Sequence, residues 1–139
     1  MNKTDKTFSL TDKFFIGLVV SIALISNKAN AESISEYITP TINSSPAGLD
    51  FDSEGNLWFA EINGNKIGKL TPSQAKPGTS QGIVEYELPH PNSKPQYLMV
   101  SSDNTIWFSE IEGNRIGRLN PASNKIQEYE IPTPNSEPH

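Results

Sequence analysis

The sequence predicts an all-β chain assembled from repeated four-stranded antiparallel units. Three observations predict it. Gly and Pro together supply 20 of 139 residues, enough for many tight turns. A long segment occurs twice, and within each copy short apolar stretches alternate with turn-forming Asn, Asp and Gly. No window places apolar residues at a helical period, and the prolines would break any helix.

Composition removes several function classes. The formal charge of −5 leaves no basic surface, so nucleic acid is not an expected partner. With no cysteine there is no disulfide scaffold, thiolate metal site or Cys nucleophile.

Residues 1–31 read as a secretory signal. Lys3, Lys6 and Lys13 form the positive start, Phe14 to Ser26 (FFIGLVVSIALIS) the apolar stretch, and Ala29-Asn30-Ala31 the cleavage site. Thirteen residues of helix span only about 20 Å, too short for a hydrocarbon core of about 30 Å. Cleavage after Ala31 leaves residues 32–139, with no membrane span, 7 Lys/Arg and 14 Asp/Glu, in a periplasmic or extracellular location.

The sequence repeats internally, and such a repeat decides the fold class ahead of any single strand. Pro46–Pro72 and Pro95–Pro121 align at an offset of 49 with 13 identities in 27 positions, including Trp58/Trp107, Phe59/Phe108, Glu61/Glu110, Gly64/Gly113, Asn65/Asn114 and Gly68/Gly117. The offset then falls to 43, where IVEYELP (83–89) matches IQEYEIP (126–132) at five of seven positions. The difference lies in Ser73–Gly82, six residues longer than Ala122–Lys125. Beyond both ends, Ile34–Tyr37 resembles Ile83–Tyr86, and Pro134–Pro138 resembles Pro91–Pro95.

Each copy divides into strands a to d. Strand a is expected at 47–52 and 96–101, b at 56–62 and 105–111, c at 66–70 and 115–119, d at 83–88 and 126–131. Strand b is apolar on both faces, as in a sheet covered on both sides. Tight turns fall at Glu54-Gly55-Asn56, Asp103-Asn104, Asn63-Gly64-Asn65 and Glu112-Gly113-Asn114. Pro72, Pro121, Pro89 and Pro132 end strands, because proline cannot extend a ladder. A four-stranded repeat of 40–50 residues with an aromatic signature is a β-propeller blade. The blades are placed at about 46–88 and 95–131, with an extra d-type strand at 33–39.

These residues carry a family resemblance. D-x-x-G-N-L-W-F-A-E-x-x-G-N-K-I-G-K-L followed by I-x-E-Y-x-[IL]-P resembles the streptogramin lyase (virginiamycin B lyase) family over nearly all of 33–139. The resemblance implies a seven-bladed propeller and an Mg²⁺-dependent elimination that opens the ester of cyclic depsipeptide antibiotics. In that chemistry a base removes the proton α to a carbonyl while the metal stabilises the developing charge. Antibiotic resistance is the role that would follow, and a lactone-containing small molecule the partner. The family's catalytic histidine belongs to late blades, so no residue here inherits that role. Two blades leave outer faces open, since each blade needs neighbours. The chain is therefore expected to be an incomplete, inactive propeller, or a subunit that self-assembles to complete a ring. The alternative function is a non-catalytic secreted module that binds a ligand or partner through its loop face.

In a propeller the b–c and d–a loops share one face. Glu61 and Glu110 end strand b beside the b–c turn, and His90 and His139 belong to d–a connections, so all four are expected toward that face. Glu61, Glu110 and His90 are the candidate substrate-binding residues. One carboxylate per blade could hold a hard cation; equally, each could cap the turn or pair with Lys66 or Arg115. Asp50/Asp52 are not expected to bind metal, because Met99 and Ser101 replace them. Glu85/Glu87 and Glu128/Glu130 are expected as a solvated face of the outermost strand.

Overall fold

The computed structural model describes residues 21–28 and 31–139, with side chains from Ile34 onward. The described residues form ten strands: β1 (Ser21–Lys28), β2 (Ala31–Ile38), β3 (Pro46–Phe51), β4 (Leu57–Glu61), β5 (Lys66–Leu70), β6 (Ile83–Glu87), β7 (Pro95–Val100), β8 (Ile106–Glu110), β9 (Arg115–Asn120) and β10 (Lys125–Glu130). Among the described residues there is no helix. The signal-peptide reading falls mainly on residues 1–20 and 29–30, outside the described residues; Ser21–Lys28 forms an antiparallel pair with β2.

β3-β4-β5-β6 and β7-β8-β9-β10 are two antiparallel sheets in simple sequential order. They are the expected blades, with each strand within a residue or two of its expected limits. The repeated wording follows from one cross-strand pair. Phe59 stands opposite Gly68 and Phe108 opposite Gly117. A Cβ on Gly68 would lie 2.1 Å from the Phe59 ring, and one on Gly117 2.0 Å from the Phe108 ring. The ring therefore lies flat over its glycine, and the c strand can carry no side chain there. On the opposite face Trp58 stacks on Tyr86 at 5.6 Å with the Lys69 ammonium 5.3 Å away, and Trp107 stacks on Tyr129 at 6.1 Å with the Arg118 guanidinium 5.5 Å away.

The two sheets pack face to face. Trp58, Ala60 and Ile67 of blade 1 meet Ile106, Phe108 and Leu119 of blade 2 in one buried cluster, flanked by Tyr86, Leu98, Val100 and Ile126. The other face of blade 1, Leu57, Phe59 and Leu70, is covered by Tyr37 from β2 and by Ala75 and Ile83. Every residue of β4 is consequently buried. The corresponding outer face of blade 2 is more open, with Tyr97, Met99 and Tyr129 exposed.

Polar ties fix the inner edges. Gly48 takes a positive φ of 49° at a bulge in β3, and a Cβ there would sit 2.2 Å from the Gln96 carbonyl oxygen. Glycine alone lets the two strand-a backbones approach so closely. The Val100 amide donates to Asp50 Oδ2 at 2.7 Å, and Ser53 and Asn104 exchange two hydrogen bonds between the a–b turns. Asp52 accepts from the Trp58 indole and from the Asn56 and Glu54 amides. Burial would raise its pKa, but these bonds outweigh that and hold it below the usual carboxylate value. The D-x-x-G-N-L-W segment is thus a turn anchored to its own tryptophan.

The long loop after β5 has a visible task. The Gly78 amide donates to the Glu36 carbonyl at 2.8 Å and the Ile38 amide to the Thr79 carbonyl at 3.1 Å. The additional residues of Ser73–Gly82 fasten the free edge of β2 beside blade 1. The 33–39 segment is therefore strand, held by β1 on one edge and by this loop on the other.

Replacing Gly68 with Ala should expel the Phe59 ring from its seat. We expect a loss of about 2 kcal/mol or more in urea unfolding, at the upper end of overpacking costs. In a Phe59→Leu background the same Gly68→Ala change should cost less, and an undiminished loss there would contradict that cause.

Candidate functional site

The loop face of each blade is built by the connection that enters strand a. Thr39–Ser45 enters blade 1 and Pro89–Lys94 enters blade 2. Asn43 and Ser45, like Asn92 and Lys94, take left-handed φ angles, which fold the segment back over the sheet. The Ser44 carbonyl then accepts from the Asn63 and Gly64 amides at 2.9 and 3.2 Å, and the Ser93 carbonyl from the Gly113 amide at 3.2 Å. Asn65, at φ 56°, holds the outgoing connection by donating to the His90 carbonyl and accepting from the Ser93 amide, both at 2.8 Å. Asn114 repeats this with Ile131, Thr133 and Ser136. Each b–c turn therefore joins the connection before it to the one after it.

Under these connections lies a charged cluster in each blade. In blade 1 the Lys66 ammonium donates to Glu85 Oε2 at 2.8 Å and to Thr41 Oγ1 at 2.7 Å. Glu85 also accepts from the Thr41 amide at 2.8 Å and the Thr41 hydroxyl at 2.6 Å. Burial works against the Glu85 charge, yet the Lys66 and Thr41 bonds prevail and hold its pKa below the ordinary value. Lys66 is held above its own, first by the bond to Glu85. Glu61 is wholly buried and neither carboxylate oxygen has a hydrogen-bond partner among the described residues. Burial, then the Glu85 charge, pushes Glu61 up to about 7, with the Ser44 hydroxyl and Lys66 opposing.

Blade 2 holds the same places with different chemistry. Arg115 Nε donates to Glu110 Oε2 at 3.2 Å and stands 3.9 Å from Glu128 Oε2, while its terminal nitrogen reaches Ser93 Oγ at 3.4 Å. His90 occupies the position of Thr41, and its Nδ1 hydrogen-bonds Glu128 Oε2. The ring is more than half exposed while the Glu128 side chain is 5% exposed. Burial raises the Glu110 pKa, joined by Glu128 and opposed by Ser93 and Arg115.

Of the sequence candidates, His90 and Glu110 are brought into one cluster through Arg115 and Glu128. Glu61 lies in the separate cluster of blade 1. His139 sits edge-on to Tyr97 at 5.8 Å. Glu85 and Glu128, expected on a solvated face, are instead covered by the incoming connection. Their identity at one register of both d strands was the available signal. Ser44 and Ser93 were not among the candidates, although Asn-Ser recurs at 43–44, 92–93 and 135–136.

The carboxylates do not fit a hard cation. Glu61 is sealed against Gly64, whose Cβ would lie 2.7 Å from Glu61 Oε2, and Glu110 is taken by Arg115. Among the described residues no three His, Cys, Asp or Glu side chains gather in a metal-binding group. Asp50 and Asp52 are occupied by the amides and indole described above.

The virginiamycin B lyase family model matches residues 20–139. The chain belongs to the virginiamycin B lyase family. It is similar to a solved catalytically inactive His-to-Ala variant of the virginiamycin B lyase from Staphylococcus aureus with quinupristin, at 38% identity and a TM-score of 0.73, covering 86% of this chain and 37% of that one. A structure of the selenomethionine-substituted S. aureus enzyme aligns at 37% identity with a TM-score of 0.74, over 86% of this chain and 37% of that one. A streptogramin B lyase structure aligns at 34% identity with a TM-score of 0.79, over 94% of this chain and 41% of that one. No curated protein sequence matches significantly. This virginiamycin B lyase family chain thus spans about two fifths of the length of its solved relatives, as a pair of propeller blades.

Because Arg115 serves two nearly buried carboxylates, Arg115→Met should leave Glu110 uncompensated and Glu128 with His90 alone. We expect a loss of about 3 to 5 kcal/mol in urea unfolding near neutral pH, smaller at acid pH where the carboxylates take up protons. A loss below about 1 kcal/mol would show that Arg115 is dispensable to blade 2.

Proposed function

We propose that these residues form scaffold blades of a streptogramin-lyase-type propeller and do not by themselves open a cyclic depsipeptide. The observation that carries this reading is how the loop-face acids are used. Glu61 is sealed, Glu110 is held by Arg115, and Glu85 and Glu128 anchor Thr41 and His90. Such groups position backbone connections. An elimination needs an accessible base beside an α-proton and a group that stabilises the resulting charge. The His-to-Ala relative is catalytically inactive. The two histidines of this chain are His90, bonded to Glu128, and His139, packed edge-on to Tyr97.

Export through residues 1–31 as a signal peptide belongs to the same reading. After cleavage at Ala31 the strand 32–38 would lose β1 and keep its bonds to Gly78 and Thr79. N-terminal sequencing of exported protein should begin at Glu32; retention of Met1 at the N-terminus of exported material would contradict it.

The purified chain, incubated with quinupristin and Mg²⁺, should leave the cyclic compound intact by chromatography and tandem mass spectrometry. Elimination yields a linear isomer of unchanged mass, whereas hydrolysis adds one water, so the two ring openings are distinguishable. An Mg²⁺-dependent linear isomer would overturn the scaffold reading. Saturable binding without ring opening would favour a ligand-binding module.

A further inference from the structure

We propose that Glu61 is a proton-operated latch for the connection Thr39–Ser45: the neutral carboxyl lets this segment close over blade 1, and ionisation loosens it. Glu61 has 0% exposure and two oxygens without hydrogen-bond partners among the described residues. A carboxylate in such a place loses its hydration and gains only the smaller opposing pull of the Ser44 hydroxyl and Lys66, whereas a carboxylic acid carries no net charge there.

The surrounding groups explain why no cation compensates it. From β5 comes Lys66, whose ammonium is committed to Glu85 and Thr41. From β6 comes Glu85, a second negative charge, with Glu87 further along the same strand. The connection itself supplies only hydroxyls, and the Ser44 hydroxyl donates to Thr39 Oγ1. Blade 2 is a built-in control. Its guanidinium Nε stands 3.2 Å from Glu110 and 3.9 Å from Glu128, so one cation lies between both acids, whereas the Lys66 ammonium is bonded to Glu85 and Thr41.

The segment that would respond is the one lying over Glu61. Ser44 packs against the Glu61–Gly64 turn, since a Cβ on Gly64 would meet Ser44 and Glu61 alike, and its carbonyl holds the Asn63 and Gly64 amides. Opening this cover is the direct way to bring water to an ionised Glu61.

The sign follows from burial. The folded state holds the Glu61 proton up to about pH 7, against an ordinary carboxyl value of 4.5. Between those values the folded chain binds more protons than the unfolded chain, so stability falls as pH rises across that window. Glu110, also raised by burial but opposed by Ser93 and Arg115, acts in the same direction, whereas Glu85 and Asp52, held below their ordinary values, act at lower pH and in the opposite direction.

Amide hydrogen exchange of the full chain, corrected for intrinsic pH dependence, tests the latch. From about pH 5 to pH 8, protection at Asn63 and Gly64 should fall about tenfold or more, while the equivalent Gly113 amide changes much less. Glu61→Gln should abolish the difference and raise the urea midpoint at pH 8 relative to the unsubstituted chain. Lys66→Arg, which keeps Glu61 and places beside it the guanidinium found at this position in blade 2, should flatten the same profile. An unchanged pH profile in Glu61→Gln, or equal loss of protection at Gly113, would overturn the proposal. If Glu61→Gln does not fold, Lys66→Arg decides alone: a full wild-type profile in that variant counts against the latch.

Discussion

The placement of a phenylalanine ring flat over a glycine on the neighbouring strand is the constraint from which each blade is built. Phe59 over Gly68 and Phe108 over Gly117 remove one side chain from strand c and fill its space with a ring from strand b. The sheet surface becomes smooth enough for a neighbouring layer to lie on it. Strand alternation then forces Trp58 and Trp107 onto the opposite face, where tyrosine from strand d and a cation from strand c cover the indole. A blade made this way presents two apolar faces. It is stable only when both are covered, as β4 is by β2 on one side and blade 2 on the other.

That requirement explains why the fold was legible in the sequence. A residue that must be glycine opposite a residue that must be aromatic leaves a fixed spacing, and the spacing recurs at Phe59/Gly68 and Phe108/Gly117. Strand limits followed from prolines and Asn-Gly turns because those residues act locally. The candidate site was less legible, since its partners come from segments far apart in the chain. Glu85 lies 44 residues from Thr41, and Glu128 lies 38 from His90. On an outermost strand, alternation predicts a solvated acid. It cannot register a connection that folds back over the end of that strand through left-handed Asn and Ser residues. The identity of Glu85 and Glu128 was visible, but its cause was not. Likewise the length of Ser73–Gly82 could be counted, while its bonds to β2 needed the assembled structure.

The repeats agree where packing is at stake and diverge where charge is compensated. Lys66 becomes Arg115 and Thr41 becomes His90, with the acids Glu61/Glu110 and Glu85/Glu128 retained. Two ionised acids and one strong base per cluster would leave an excess negative charge under each connection. Blade 2 sets a guanidinium and an imidazole beside its acids; in blade 1 the one ammonium is committed to Glu85 and Glu61 keeps its proton instead. The same scaffold position thus has different proton affinities in adjacent blades, although the backbone around it is unchanged.

This divergence separates two demands on a propeller. Apolar layers set how the blades stack, and that stacking tolerates little change because the rings and glycines leave no free volume. The loop face is held instead by backbone amides on Ser44 and Ser93 and by Asn65 and Asn114, which use carbonyl and amide groups common to every residue. Side chains at equivalent positions, such as 41 and 90 or 66 and 115, can therefore differ between blades while each connection keeps the same backbone hydrogen bonds. A fold arranged in this way can carry chemistry in one blade while its neighbours use the equivalent residues for support, and conservation of the Glu at the end of strand b within the repeat signals the support before it signals any reaction.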